Sequence, residues 1–218
     1  MDKKKVKKLL FGKFDWKRAI KFLLFLYVSI FVYSCFFSNK MIFMPQPPGY
    51  KNSESIIKIP VTEKDKISAV YLNNPKAKHV ILFSHGNAED IGYILNNLMR
   101  IRRKGFSVFA YDYRGYGTSD GSPSEENSYK DIFAAYKYMV KKLKIKPEKI
   151  IAMGRSLGSG PTLELASNTK IGGVILQSAF VTAYRVLTRI TLFPFDKYKN
   201  IDKIKKINCP VLIIHSID

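Results

Sequence analysis

The sequence predicts a doubly wound, mostly parallel α/β sheet that follows an N-terminal transmembrane helix. Three observations predict it. Short apolar runs typical of strands buried on both faces alternate with segments of helical periodicity through residues 56–218. A Gly-x-Ser-x-Gly turn at residues 154–158 joins one such strand to one such helix. A separate apolar run occupies residues 22–37, close to the amino terminus.

The composition fits one globular domain with a short appendage. The chain has 218 residues, of which 46% are hydrophobic and 25% are charged. The net charge is +20, and residues 1–21 hold nine Lys or Arg against Asp2 and Asp15. The other lysines are scattered without aromatic interleaving, so no nucleic-acid partner is expected. Only Cys35 and Cys209 occur, so the sequence predicts no disulfide framework, no metal site and no cofactor.

The N-terminal part divides into three segments. Residues 1–21 form a basic head that we expect in the cytosol, and residues 22–38 form a single-pass signal anchor. If Ala19 and Ile20 are included, the length of the apolar segment approaches the roughly 20 residues that a helix needs to span a bilayer. Residues 39–55, rich in proline, are predicted to be a linker. A cleaved signal peptide and a buried soluble helix are the alternatives.

The positive-inside rule places the rest of the chain on the far side of the membrane. The expected location is an endomembrane, such as the endoplasmic reticulum, or the plasma membrane, with the lipid bilayer as a partner. No Asn-x-Ser/Thr sequon occurs in the chain, so glycosylation gives this orientation no support.

Residues 56–218 form the predicted α/β domain. Apolar runs predict strands at residues 56–59, 67–72, 80–83, 106–112, 150–153, 174–176 and 209–214. A helix is predicted over residues 91–104, ended by Gly105. The next begins near a capping box formed by Ser122 and Glu125, with Pro123 at the first helical position.

The turn at residues 154–158 has the context of a nucleophile elbow. A strand leads in, Ser156 sits in the turn, and a helical segment follows. Glycines two residues before and after the serine remove side chains that would clash in so tight a reversal. A glycine-rich turn with a capping serine is the alternative interpretation.

Three segments in this order resemble the α/β-hydrolases. They are Ser84-His85-Gly86-Asn87, Tyr111-Asp112-Tyr113-Arg114-Gly115-Tyr116-Gly117, and the turn at residues 154–158. More narrowly, the chain is similar to membrane-associated α/β-hydrolase-domain proteins of the depalmitoylase-like and bud-emergence types, and residues 195–215 resemble the depalmitoylase-like branch. The resemblance covers residues 41–218 and implies an α/β-hydrolase fold.

The resemblance also implies roles for individual residues. Ser156 matches the nucleophile, and the backbone N–H groups of Leu157 and Asn87 match the donors to the oxyanion. His85 is expected to shape its loop, and Asp112 and Arg114 are expected to brace the neighbouring one.

The sequence departs from the family pattern after Ser156, where an acid and then a histidine should follow. His215 is the only later histidine, and it matches a structural His-Gly pair in which Ser216 replaces the glycine. Asp218 falls one position short of the family acid, and His79 and His85 precede the elbow. We therefore expect the acid and histidine beyond residue 218 and a sheet that is incomplete at its C-terminal edge.

The resemblance implies a membrane-anchored serine hydrolase that cleaves an acyl ester or thioester. An acylated protein or a lipid is the expected substrate. The alternative is a truncated or non-catalytic relative that acts as a membrane scaffold, because no partner that would activate Ser156 is apparent in the sequence.

Overall fold

A computed structural model describes residues 16–188 and 196–216. The chain divides into two compact units, Met1–Met41 and Ile42–Asp218. The second unit contains the α/β sheet.

Helix α1 runs from Trp16 to Ile42, beyond both ends of the predicted anchor at residues 22–38. Its apolar side chains are largely exposed, with Phe25 at 70% and Phe36 at 80%. By length and hydropathy, no single helix in the described part of the chain qualifies as a membrane span. The segments Trp16–Ser34 and Phe36–Ile42, bent by 66° where they meet, qualify only when taken together.

Among the described residues, seven strands form one sheet in the order β1-β2-β4-β3-β5-β6-β7. Their bounds are β1 Ile57–Pro60, β2 Lys66–Leu72, β3 Val80–Ser84, β4 Ser107–Tyr111, β5 Ile150–Arg155, β6 Gly173–Gln177 and β7 Val211–Ile214. Strands β3 to β7 are parallel, whereas β1 and β2 pair antiparallel at one edge. The predicted mostly parallel sheet is confirmed, and each strand ends within two residues of its predicted bounds.

The helices pack on both faces of this sheet. Those of the second unit are α2 Ile91–Arg103, α3 Glu125–Lys141, α4 Ser159–Asn168, α5 Arg185–Thr188 and α6 Asn200–Lys203. On one face Leu82 of β3 shares a buried cluster with residues of α3 and α4, and on the other Ile81 packs with residues of α2. Alternate residues of β3 thus point to opposite layers, as expected for a strand buried on both faces.

The predicted N-terminal cap of α3 is wrong by two residues. Ser124, not Ser122, is the cap, and its Oγ accepts a hydrogen bond from the Asn127 N–H at 3.1 Å. Pro123 instead packs against Gly115, where an added Cβ would come within 2.6 Å of the proline ring. Proline at this point therefore serves loop packing rather than the first helical turn.

Residues 43–50 lie within the predicted linker, yet they contact the domain at several points. Phe43 is buried in the core. The Gly49 N–H donates to Asp90 Oδ2 at 2.6 Å, and the Tyr50 hydroxyl donates to Asp112 Oδ2 at 2.5 Å. This segment has bends at residues 47, 49 and 50, and it is fixed to the sheet's loops by the buried carboxylates of Asp90 and Asp112. The linker stays a prediction.

Strand β7 is the outer strand on the other side of the described sheet. It pairs in parallel with β6, and its four apolar side chains are all exposed, from 38% at Val211 to 55% at Ile213. The incomplete edge expected from the sequence stays a prediction.

Candidate active site

Ser156 lies where β5 turns into α4. Strand β5 ends at Arg155, a single turn of 3-10 helix covers Ser156–Gly158, and α4 begins at Ser159. Ser156 has φ +49°, a left-handed conformation that non-glycine residues adopt at a cost of about 1–3 kcal/mol. The strand, turn and helix occur as the sequence predicts, with the strained backbone that a nucleophile elbow requires.

Two glycines allow this turn for steric reasons. An added Cβ at Gly154 would come within 2.4 Å of the Gly158 carbonyl oxygen. An added Cβ at Gly158 would come within 2.1 Å of the Ser84 carbonyl oxygen at the end of β3. The elbow therefore touches its own preceding strand and the neighbouring strand without any intervening side chain.

Helix α4 is fixed by polar and aromatic contacts next to the elbow. The Ser159 hydroxyl donates to the Ser156 carbonyl at 2.7 Å. The Tyr198 ring covers Gly160, where an added Cβ would lie 2.1 Å from a ring carbon. Tyr198 is fully buried, and its hydroxyl lies 2.9 Å from Ser128 Oγ. The first turn of α4 is thus held between the elbow and the segment before α6.

The loop after β3 lies beside the elbow, because β3 and β5 are neighbours with Ser84 opposite Gly154. The Asn87 side chain accepts from the Met44 N–H at 3.0 Å and from the Tyr116 hydroxyl at 2.7 Å, and its Nδ2 donates to the Ile42 carbonyl. Within residues 16–188 and 196–216, the Asn87 backbone N–H has no acceptor. The oxyanion roles of Leu157 and Asn87 stay a prediction.

An ion pair joins this loop to the elbow, and no local sequence pattern predicts it. Glu89 Oε2 accepts from the Gly86 N–H at 3.0 Å and also pairs with the guanidinium of Arg155. Arg155 directly precedes Ser156 in the chain. One carboxylate therefore holds the predicted oxyanion loop against the residue that precedes the nucleophile. Glu89 and Arg155 are 66 positions apart in the sequence, so they meet only in the folded chain.

His85 and Asp112 form a buried pair behind the loop. His85 Nδ1 lies 2.8 Å from the Gly86 carbonyl oxygen, and its Nε2 lies 3.4 Å from Asp112 Oδ1 without the alignment of a hydrogen bond. Burial lowers the pKa of His85 to about 4 and raises that of Asp112 to about 8. A neutral histidine fits the structural role expected of it.

Arg114 braces the loop after β4. Its backbone N–H and its Nε donate to the two oxygens of Asp131 at 2.9 and 2.8 Å, and its side chain is almost fully buried. Burial is the largest influence on Asp131 and raises its pKa to about 6, although contacts with Arg114 oppose that shift. These contacts agree with the bracing role expected from the sequence.

The structure does not join Ser156 to a base within the described residues. In residues 16–188 and 196–216 no side chain forms a hydrogen bond with the Ser156 hydroxyl. His215 is exposed just after β7, and its Nδ1 lies 3.1 Å from the Ser216 carbonyl oxygen. Asp218 lies outside the described residues. The same part of the chain contains no group of three His, Cys, Asp or Glu arranged to hold a metal ion.

Comparison with known sequences identifies relatives over the α/β domain. The chain is 40% identical over 158 residues to alpha/beta hydrolase domain-containing protein 17B of Xenopus tropicalis, covering 71% of this chain and 55% of that protein. It is 42% identical over 148 residues to alpha/beta hydrolase domain-containing protein 17C of Homo sapiens, covering 66% and 45%. The chain spans about half the length of these relatives.

Solved structures share the fold at low sequence identity. The Pyrococcus furiosus esterase Pf2001 superposes with a TM-score of 0.62 at 16% identity, covering 78% of this chain and 76% of that one. An α/β-hydrolase from Vibrio vulnificus gives 0.61 at 21%, covering 73% and 63%. The family model described as serine aminopeptidase, S33, matches residues 75–201, more than half of the chain. The strained serine elbow, the sheet order and this match agree: the chain belongs to the serine aminopeptidase S33 family of α/β-hydrolases.

Proposed function

We propose that this protein is a membrane-anchored serine hydrolase that cleaves an acyl ester or thioester in a lipidated protein or a lipid. The observation that carries the proposal is Ser156, held at φ +49° between a parallel strand and a helix. Strained serines in this position expose their hydroxyl above the sheet. The relatives named as α/β-hydrolase-domain proteins support the same chemical class.

In the proposed reaction Ser156 Oγ attacks the acyl carbonyl, and the alcohol or thiol leaves as the acyl-enzyme forms. Water then attacks this ester and releases the acid. Negative charge develops on the carbonyl oxygen in both steps, and the N–H groups of Leu157 and Asn87 are the proposed donors to it. The ion pair between Glu89 and Arg155 would hold the loop of Asn87 at a fixed distance from the elbow that carries Leu157.

The reaction needs a base to take the Ser156 proton. We assign this role to a histidine that is oriented by an acid. His85 is unsuited to it, because its Nδ1 and Nε2 both face groups of the buried loop.

A fluorophosphonate probe offered to the full-length protein tests the nucleophile. We expect covalent labelling of the wild type and none of Ser156→Ala. Ser178→Ala is the matched control, because Ser178 also has a positive φ, +52°, just after strand β6. That control should label at the wild-type rate. Labelling that persists in Ser156→Ala, or an unlabelled wild type, would refute the proposal.

The substrate class can be tested with the same preparation. A palmitoyl-thioester peptide and a medium-chain aryl ester should be hydrolysed, whereas an amino-acid anilide should not. The anilide is informative because the family description names an aminopeptidase. Faster turnover of the anilide than of both acyl substrates would point to peptide hydrolysis instead.

The membrane part of the proposal places the basic amino terminus in the cytosol and the α/β domain on the opposite side of an endomembrane or the plasma membrane. The exposed apolar surface of α1 supports it. An engineered sequon tests the orientation. Lys76→Asn with Lys78→Thr creates Asn-Ala-Thr in an exposed turn. We expect a mass increase that glycosidase removes. An unmodified α/β domain that is digested by protease added on the cytosolic side of intact membranes would show the opposite orientation.

The second candidate function is a non-catalytic membrane scaffold. It is favoured by the absence of a hydrogen-bonded base at Ser156 among the described residues. In that case we expect little activity, since an elbow without a base retains at most roughly 10³- to 10⁴-fold over water. Transcript sequence that continues in frame into an acid and a later histidine would exclude this alternative.

A further inference from the structure

A groove between β1 and α3 combines lysines with an apolar floor. Its volume is about 730 Å³, within the roughly 300–1,000 Å³ typical of ligand pockets. The floor and sides are formed by Ile59, Pro60, Val61, Phe133, Ala134 and Tyr138. The charged lining residues are Lys58, Lys130, Lys137, Lys141 and Lys142, and the lining contains no Asp or Glu. We call this feature the β1–α3 groove.

The helical repeat explains how α3 forms one side of the groove. Lys130, Lys137 and Lys141 are spaced by seven and four residues, so they lie along one face of the helix. Phe133 and Tyr138 fall between them and pack against the buried core, and the Tyr138 ring lies 5.9 Å from that of Phe109. The floor is therefore continuous with the packed core, while the exposed lysines lie at its rim.

Three of the five lysines are available to a ligand. Lys58 is occupied, because its Nζ donates to Ser68 and Thr118. Lys130 pairs with Glu126 at 2.6 Å. Lys137, Lys141 and Lys142 are in no ion pair within residues 16–188 and 196–216. Most surface lysines project separately into solvent, whereas these three line the same apolar groove and could contact one ligand together.

We propose that the β1–α3 groove binds one anionic phospholipid, with its phosphate at Lys137, Lys141 and Lys142 and its first acyl carbons on Phe133 and Tyr138. Lysine binds phosphate as a point charge, and the apolar floor supplies the hydrophobic contact. The inference rests on the proposed membrane location but not on catalysis by Ser156.

An acidic peptide fits this groove less well. A peptide that added a strand at the free edge of β1 would need backbone donors and acceptors along that edge. Pro60 ends β1 and has no N–H to offer. An acyl chain needs no hydrogen bonds, so the apolar floor is complementary to a lipid.

Titration calorimetry on the full chain in a neutral detergent tests the proposal. The probes are monomeric dihexanoyl phosphatidic acid, dihexanoyl phosphatidylcholine, inorganic phosphate and hexaglutamate. We expect saturable binding of phosphatidic acid, at least tenfold tighter than that of the other three. Lys137→Glu with Lys141→Glu should weaken it at least about tenfold, since each lysine near an anionic lipid contributes to binding.

Lys146→Glu with Lys149→Glu is the matched control, because both residues are exposed, lie outside the groove and change the net charge equally. It should bind phosphatidic acid within twofold of the wild type. Since glutamate near the end of α3 could weaken the helix, Lys137→Gln with Lys141→Gln provides a second, milder variant, which should also weaken binding.

Equal loss in the control, or tight binding of phosphatidylcholine, would overturn the proposal. Inorganic phosphate that bound as tightly as phosphatidic acid would also overturn it, because the groove would then be a general anion site. Hexaglutamate that bound as tightly as phosphatidic acid would overturn it in favour of a site that docks an acidic protein. Because the dihexanoyl lipids are themselves acyl esters, every titration, including that of the reference protein, is made in a Ser156→Ala background that cannot form the acyl-enzyme. Fluorophosphonate labelling tests Ser156 separately, so failure of the hydrolase proposal and failure of this one give separate results.

Discussion

Gly158→Ala is expected to unfold or severely destabilise the α/β domain. The φ of Gly158 is −62°, so alanine could adopt the backbone conformation, and the effect is purely steric. The new methyl group would lie 2.1 Å from the Ser84 carbonyl oxygen and 2.8 Å from that of His85. Both oxygens are backbone atoms at the end of a central strand, so rotation of a side chain cannot relieve the clash. The cost should be about 3 kcal/mol or more.

If the variant folds, the methyl group must push the elbow away from β3. That displacement separates the N–H groups of Leu157 and Asn87, the two proposed oxyanion donors. A shift of about 1 Å costs on the order of 10²-fold in rate, so fluorophosphonate labelling of the full-length protein should slow by that much.

Gly173→Ala is the control for both measurements. Its added Cβ would meet only the Pro210 carbonyl oxygen, at 3.4 Å, which is an ordinary contact. Its free energy of unfolding in denaturant should stay within about 1 kcal/mol of the wild type. Equal stability of Gly158→Ala and Gly173→Ala would show that the elbow does not touch β3 as described.

The stability of the domain is expected to fall as pH rises from 6.5 to 8, and Asp112 is the cause. Burial raises its pKa from 3.8 to about 8 in the folded chain. Between these values the folded state keeps a proton that the unfolded state has lost, so raising the pH favours unfolding.

His85 acts in the opposite direction at lower pH. Burial lowers its pKa from 6.5 to about 4, so between those values the unfolded state binds the extra proton and raising the pH favours folding. From pH 4 to 6.5 this slope opposes that of Asp112, and Asp131, whose pKa is raised to about 6, adds to the slope of Asp112 below that value. Above pH 6.5 the slope of Asp112 dominates. The loss from pH 6.5 to 8 is about 2 kcal/mol at roughly 1.36 kcal/mol per pH unit.

Urea unfolding at half-unit pH steps measures this loss. Asp112→Asn should give a flat profile between pH 6.5 and 8, because the titrating proton is absent. His85→Gln should keep the fall above 6.5, since the histidine contributes only below it. A wild-type profile without slope in this window, or an asparagine variant that keeps it, would contradict the assignment.

The sequence predicts those parts of the fold that depend on local pattern. Strands buried on both faces are recognised from apolar runs such as residues 80–83, and the elbow from two glycines around Ser156. The position of the α3 cap could not be predicted from local pattern. Pro123 packs against Gly115 in the folded chain and lies before the helix, and that contact is between residues of a loop that only the fold brings together.

Contacts distant in sequence account for what was missed at the site. Glu89 and Arg155 are ordinary charged residues in the sequence, and they meet only because β3 and β5 are neighbours. The base that would activate Ser156 was not located within the chain by pattern, and the described residues do not place one beside it.

The contacts of residues 42–50 determine where a shortened protein could safely begin. The Ile42 carbonyl and the Met44 N–H satisfy the Asn87 side chain, while Gly49 and Tyr50 satisfy two carboxylates. A chain started after Tyr50 would keep every strand of the sheet, yet it would leave Asn87, Asp90 and Asp112 without these partners. The first residue needed for expression of the α/β domain is therefore Ile42, fifteen positions before its first strand.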